Sequence, residues 1–412
     1  MAEESISLPR TVAMVLAGGR VGEFSVLTLD RPKSAIPFGG HYRIIDFPLS
    51  NLMHAGINQV GILSQYRPSS LIDHVGVGES WDFVGLERGA KMLPPFRGAE
   101  ASDWYRGNAD AVYRNLNFLH DNGAELALIV SGDHIYRMDY REIIRFHLER
   151  GADLTIAFKR MGSLVHQRFG YGEMDSDGRL VGYEEKPHAP RTDLASLTIY
   201  VANVKPLEET LKECVRLECF ELGRDLVPRM MSRHRVFGYE FGGYWAYART
   251  IDDYYQAAQD LILGRIDLDA WQIRTNLQDS GVAVSPPPFM AAGAEVRNSL
   301  ISAGCAIEGT VRGSILSPGV RVGPGAIVEG SVVFQRARIE EGARVQRAIL
   351  DKSVVVGRGC RVGGPCLIGE KPEGGSPGEA GIAVIGKGAR IAPGAALPPG
   401  EVLSPGAIWE RE

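Results

Sequence analysis

The chain has 412 residues, enough for two or three domains and a large core. Hydrophobic residues at 44% and charged residues at 23% give an ordinary globular balance, and a net charge of −5 gives no basis for nucleic-acid or anionic-membrane partners. No apolar run approaches the roughly 18–20 residues of a membrane span.

Residues 1–5 are acidic and lack the basic-then-apolar order of a signal peptide. Residues 11–16, a short β-branched run, predict the first strand, which ends in Ala17-Gly18-Gly19-Arg20. Further strand-like runs lie at 59–63, 126–130 and 153–158. Between them, residues 110–120 and 140–149 carry apolar side chains at helical spacing. Alternation of this kind predicts an α/β fold with a mostly parallel, Rossmann-like sheet, whose ligand loops sit at the carboxyl ends of its strands. The five cysteines, Cys214, Cys219, Cys305, Cys360 and Cys366, form no CxxC pair, so free thiols in a reducing cytoplasm are expected.

Ser285-Pro286-Pro287-Pro288 marks a linker, and beyond it the pattern changes. Aliphatic residues recur six apart in three registers: Val333, Ile339, Val345; Val356, Val362, Ile368; and Ile385, Ile391, Leu397, Leu403. Sixes with Gly and Ala between them predict a left-handed parallel β-helix of hexapeptides, each aliphatic pointing into a triangular prism. The expected domains are therefore 1–288, with the linker, and 289–412, with residues 370–380 as a loop interrupting the coils.

Leu16-Ala17-Gly18-Gly19 follows a strand directly, where glycine lets backbone N–H groups approach a phosphate. A simple turn uses the same residues, so the segments after it decide. Arg31-Pro32-Lys33-Ser34-Ala35-Ile36-Pro37-Phe38-Gly39-Gly40 runs into His41-Tyr42-Arg43-Ile44-Ile45-Asp46-Phe47-Pro48-Leu49-Ser50-Asn51. Then come Ser64-Gln65-Tyr66, Trp104-Tyr105-Arg106-Gly107-Asn108-Ala109-Asp110, Ser131-Gly132-Asp133-His134, Glu185-Lys186-Pro187 and Trp271-Gln272-Ile273-Arg274-Thr275. In order and spacing these segments resemble the bacterial glucose-1-phosphate adenylyltransferase (ADP-glucose pyrophosphorylase) family, from about residue 11 into the hexapeptide repeats.

That resemblance implies a nucleotidyltransferase joining ATP and glucose 1-phosphate into ADP-glucose and pyrophosphate, with Mg²⁺, for glycogen synthesis. It implies that Asp133 binds the metal and that Lys33 lies near the phosphates. Glu185 would take glucose hydroxyls, Lys186 the sugar phosphate, and Ser196 the sugar. Tyr105 fits the same pocket by analogy, with a core tyrosine as the alternative. Gly18, Gly19, Gln65 and Gly107 match positions holding adenine and phosphates. Arg31 and Arg43 match an allosteric site for a sugar phosphate or nucleotide, which Arg344 or Arg347 would complete; solvated surface charge is the other reading. The β-helix implies packing into tetramers.

The chain departs from the family where the chemistry is concentrated. The family's LAGGxGTRLxPLT has Glu23 in place of its arginine, and a carboxylate there is expected to repel pyrophosphate. YWRDVGT becomes Tyr244-Trp245-Ala246-Tyr247-Ala248-Arg249-Thr250, so Tyr247 replaces a metal-binding Asp, and a phenol is a poor magnesium ligand. Asp252 or Asp253 reaching inward would rebuild the site. Thr198 stands where the family has glycine, and Glu221-Leu222-Gly223-Arg224-Asp225 replaces DFGKD with the same charge types. The expectation is a cytoplasmic subunit that binds ATP and glucose 1-phosphate with weak or no turnover of its own. It would regulate a catalytic paralogue in a heterotetramer, or form a homotetramer. A fully active enzyme with a modified site and a stand-alone sugar-phosphate or nucleotide sensor are the alternatives.

Overall fold

The computed structural model describes residues 9–19, 22–96, 104–162, 166–279, 282–364 and 381–411. Thr11–Leu16 is third from one edge of a nine-stranded sheet, flanked in parallel by Gln59–Leu63 and Leu126–Ser131, with Gly89–Leu93 parallel beyond Gln59–Leu63. Along Thr11–Leu16, Val12 and Met14 pack into one core while Ala13 and Val15 pack into another. A strand buried on both faces reads as a continuous apolar run rather than an alternating one, which is the pattern of residues 12–16.

Beyond Leu126–Ser131 the sheet changes direction. Leu194–Asn203 runs antiparallel to it, and carries Leu154–Arg160 and Gly170–Met174 as further antiparallel neighbours. The helix expected over 110–120 is two helices, Asn108–Arg114 and Leu116–Asp121. Asn115 separates them, its Nδ2 donating to the Ala111 carbonyl at 2.8 Å and to the Tyr105 hydroxyl at 2.8 Å. A side-chain amide competing with the backbone ladder breaks a helix that apolar spacing alone would continue.

From Phe289 the chain winds through three parallel sheets of seven, six and six strands, a left-handed parallel β-helix. The stacked inward positions are those of the sixfold pattern, among them Val333, Ile339, Val345, Val356, Val362, Ile385, Ile391, Leu397 and Leu403. Ile368 and the expected loop at 370–380 lie outside the described residues, as does Cys366. Two of the sheets turn charged side chains outward, such as Arg321, Arg338, Arg344 and Arg361. The third does not. Its outward Ile315, Val332, Ile349 and Val384 are buried against Phe24, Val26, Leu27, Phe38, Phe47 and Tyr254 of the α/β domain. Burial of this kind contributes about 1.5–3 kcal/mol per large side chain. It anchors the Gly22–Thr28 segment, which follows the glycine turn, on the β-helix.

Candidate active site

A cavity of about 330 Å³ opens where Thr11–Leu16, Gln59–Leu63 and Leu126–Ser131 end, and Leu16, Leu63 and Ser131 line it. It is the carboxyl end of a parallel sheet, where open α/β folds bind ligands. Gly18 permits close packing: a Cβ there would stand 3.2 Å from the Gln65 backbone nitrogen and 3.3 Å from the Leu63 carbonyl. Gly19 has no such neighbour within 4 Å and lines the cavity. Gly107 is needed by the chain itself, since a Cβ would lie 2.3 Å from the Phe220 carbonyl oxygen.

Gln65 and Tyr105 form a clamp. The Tyr105 N–H donates to Gln65 Oε1 at 2.8 Å, and Gln65 Nε2 donates to the Tyr105 carbonyl at 3.3 Å. The Tyr105 hydroxyl donates to the Leu93 carbonyl at 3.0 Å and accepts from Asn115. Its phenol is therefore engaged by the core, as in the core reading, while the residue also lines the cavity. Tyr105 holds Gln65 through its backbone.

Glu185, Lys186, Ser196, Thr198, Tyr183, Glu221 and Gly223 form one side of the cavity. The Tyr183 hydroxyl donates to Glu185 Oε2 at 2.9 Å, and a Cβ on Gly223 would sit 2.2 Å from that oxygen. Glycine at 223 thus leaves room for the carboxylate. Lys186 Nζ lies 3.7 Å from Glu185 Oε1 and is largely free to solvent. Burial raises the Glu221 pKa against the pull of Lys186 and Arg224. Ser196 is buried beside the phenols of Tyr183 and Tyr200. Thr198 holds φ 54°, at a break in register between Ser196 and Tyr200. A β-branched residue is strained there, which explains why glycine suits this position.

Across the cavity, Trp245–Tyr247 pairs antiparallel with His134–Tyr136, setting Tyr247 opposite His134 and beside Asp133. Lys33, 1% exposed, donates through Nζ to Asp133 Oδ2 at 2.7 Å. The same ammonium sits 4.1 Å from the centre of the Tyr247 ring and 5.8 Å from that of Phe24, both within cation–π range. Ser131 Oγ donates to Asp133 Oδ1. Burial pushes the Asp133 carboxyl up, but Lys33, His134 and Ser131 outweigh it and hold its pKa at about 2. Burial pushes the His134 imidazole down to about 4, so it is neutral; its Nδ1 accepts from Trp245 Nε1 at 3.3 Å. Burial, with Asp133 nearby, keeps the Tyr247 phenol protonated.

This donor set does not fit a protein-held magnesium ion. It offers one carboxylate, already committed to Lys33 and Ser131, and a neutral phenol where a second carboxylate would stand. Among the described residues no group of three or more His, Cys, Asp or Glu side chains gathers to hold a metal. Asp253 does not reach inward: it caps its own helix, accepting from the Thr250 N–H at 3.1 Å, and pairs with Arg168 at 3.0 Å. Asp252 likewise sits in the first turn of that helix, Ile251–Ile262.

Glu23 is a correction. Expected to face and repel pyrophosphate, it instead accepts from Arg249 Nε at 3.1 Å and is absent from the cavity lining. Arg249 Nη1 in turn donates to the Tyr247 hydroxyl at 3.4 Å. Arg249 and Arg168, which both line the cavity, are the site residues that the motifs passed over. The signal was the unusual arginine two residues after Tyr247. Arg20 and Val21 lie outside the described residues.

Arg31 and Arg43 lie away from the cavity at the domain seam, both 5% exposed. Arg31 pairs with Asp351 of the β-helix, and Arg43 with Asp279. A desolvated guanidinium needs such a carboxylate, so neither is an open anion site. Their neighbour is Lys352, which burial beside Arg43 and Arg31 lowers to about 8. Arg344 is exposed on another sheet, stacked on Arg361, and Arg347 occupies a coil corner with φ 49°.

A family profile described as "Nucleotidyl transferase" matches residues 12–263, and one described as "GlmU-like, C-terminal hexapeptide" matches residues 290–367. Among similar proteins, the glucose-1-phosphate adenylyltransferase of Thermotoga maritima is 42% identical over 327 residues, 77% of this chain and 76% of the relative. The enzyme of the same name from Clostridium perfringens is 38% identical over 331 residues, 80% and 84% of the two chains. That from Clostridium botulinum is 40% identical over 330 residues, 78% and 84%. No helix among the described residues is long and apolar enough to cross a membrane. A glycine turn and a Glu-Lys wall line one cavity, the Lys33–Asp133 pair lies beside its Tyr247, and the identity and coverage of these relatives show that the chain belongs to the glucose-1-phosphate adenylyltransferase family.

Proposed function

We propose that this chain binds ATP and glucose 1-phosphate in the cavity but forms ADP-glucose and pyrophosphate weakly or not at all by itself. One observation carries the reading: the Tyr247 ring caps the Lys33–Asp133 pair where a second carboxylate would stand. In phosphoryl and nucleotidyl transfer the protein's main task is positioning and charge stabilisation. Losing a metal-side carboxylate therefore reduces the rate more than the affinity. Glu185, Lys186 and Ser196 would orient glucose 1-phosphate, and Gly18, Gly19 and the Gln65–Tyr105 clamp would seat the nucleotide.

On this reading the subunit serves a regulatory role beside a catalytic paralogue in a tetramer, in a reducing cytoplasm that suits its free Cys214, Cys219, Cys305 and Cys360. An active enzyme with a modified site is the second reading, favoured by the cations Arg168 and Arg249 on the cavity wall. Pyrophosphate release by the purified chain with Mg²⁺, ATP and glucose 1-phosphate separates the two. Little release is expected, and turnover comparable to other family members would establish the second.

A further inference from the structure

The charged residues lining the cavity are unevenly distributed. Glu185, Glu221 and Lys186 are on the sugar side, while on the Tyr247 side the lining charges are Arg168 and Arg249. Each arginine has a carboxylate partner, Asp253 at 3.0 Å and Glu23 at 3.1 Å, and neither carboxylate lines the cavity. Arg249 is fixed twice, through Nε to Glu23 and through Nη1 to the Tyr247 hydroxyl. Glu23 belongs to the segment that follows the Gly18-Gly19 turn, so the pair ties the arginine to the turn. Phe24, the next residue, is wholly buried in the seam with the β-helix, which makes that tether firm.

We propose that Arg249 and Arg168 bind the terminal phosphates of a nucleoside triphosphate, or free pyrophosphate. Glu23 and Asp253 serve as the positioning groups behind them. The site is an inverted version of the expected arrangement: the cation Arg249 stands two residues after the Tyr247 strand and the carboxylate Glu23 on the glycine-turn side. Arginine's planar fork matches phosphate oxygens while one edge remains on its carboxylate. This inference rests on the nucleotide-binding reading above and names the residues that hold the polyphosphate.

Calorimetric titration with inorganic pyrophosphate, ATP and AMP, in EDTA so that no metal contributes, tests it. The wild-type chain is expected to bind pyrophosphate and ATP. Arg249→Ala and Arg168→Ala should each weaken both by at least tenfold, with AMP affinity and the melting temperature little changed. Glu23→Gln keeps the contact to Nε and removes a negative charge, so pyrophosphate affinity should hold or rise. If the arginine variants bind pyrophosphate as the wild type does, or lose AMP as severely as ATP, or if Glu23→Gln falls to the level of Arg249→Ala, the inference is overturned while nucleotide binding stands. If the wild type binds neither ATP nor AMP, the nucleotide-binding reading itself fails.

Discussion

On the side of the cavity proposed to take the sugar, Glu185, Lys186 and Ser196 line the space, with Tyr183 and Gly223 shaped around the Glu185 carboxylate. On the side proposed to take the phosphates the Lys33–Asp133 pair is kept, but Tyr247 covers Lys33, Glu23 pairs with Arg249, and Arg249 and Arg168 line the space. The difference teaches that departures from a motif have to be counted in charges, not in residues. Glu23 taken alone is a lost cation; taken with Arg249 it is a relocated one. Tyr247 has no such partner, because Asp253 is spent on its helix cap and on Arg168.

The contrast can be broken most severely at the pair beneath Tyr247. Lys33→Met should destabilise the fold by about 3 kcal/mol, read by chemical denaturation, because Asp133 loses its counter-ion in a largely buried setting. The figure is at the low end because a fifth of the Asp133 side chain is accessible. Glucose 1-phosphate binding by the folded fraction should survive, since the sugar side does not depend on that pair.

Gly223→Ala is the converse experiment. Its Cβ would collide with Glu185 Oε2, so glucose 1-phosphate affinity should fall about tenfold, roughly 1.4 kcal/mol, with pyrophosphate binding unchanged. Equal losses of both ligands would mean that the two sides are not separable. Thr198→Gly removes a β-branched residue from φ 54° and should stabilise the fold by about 1 kcal/mol in thermal or urea unfolding.

The domain seam supplies a control outside both walls. Burial pushes the His74 imidazole down, but the carboxylates of Asp46 and Asp279 outweigh it and raise its pKa. A raised folded pKa contributes stability that is full below about 6.5 and is lost as pH rises through the folded value. Asp279 is held at about 2 against burial by His74 and Arg43, so its contribution is present above about 4 and fades as pH falls towards 2. His74→Gln should flatten the alkaline decline in denaturation midpoint, by less than any variant above, without changing either ligand's affinity.

Much of the fold was legible because its signals are local. A sixfold aliphatic repeat admits few architectures, and the apolar run of residues 12–16 reads directly as a strand buried on both faces. Part of the cavity lining was legible as a set of residues: the glycine turn, Gln65, Glu185, Lys186, Ser196 and Tyr247 line one cavity. What the sequence concealed was pairing across long distances. Arg249 meets Glu23 across 226 positions and Arg31 meets Asp351 across 320, and no spacing rule links them. Nor does a sequence show that the phenol of Tyr105 is already used by Leu93 and Asn115, or that Asn115 breaks the expected helix.

The most direct measurement is steady-state pyrophosphate release, with Mg²⁺, ATP and glucose 1-phosphate, by Tyr247→Asp beside the wild type. Arg249 already supplies a cation, so this one substitution should suffice to raise the rate at least tenfold. Glu23→Arg, which sets two guanidiniums together, should give no such gain. No increase in Tyr247→Asp, or a wild-type rate equal to that of ordinary family members, would contradict the claim that binding is retained while the lack of a metal-side carboxylate limits turnover.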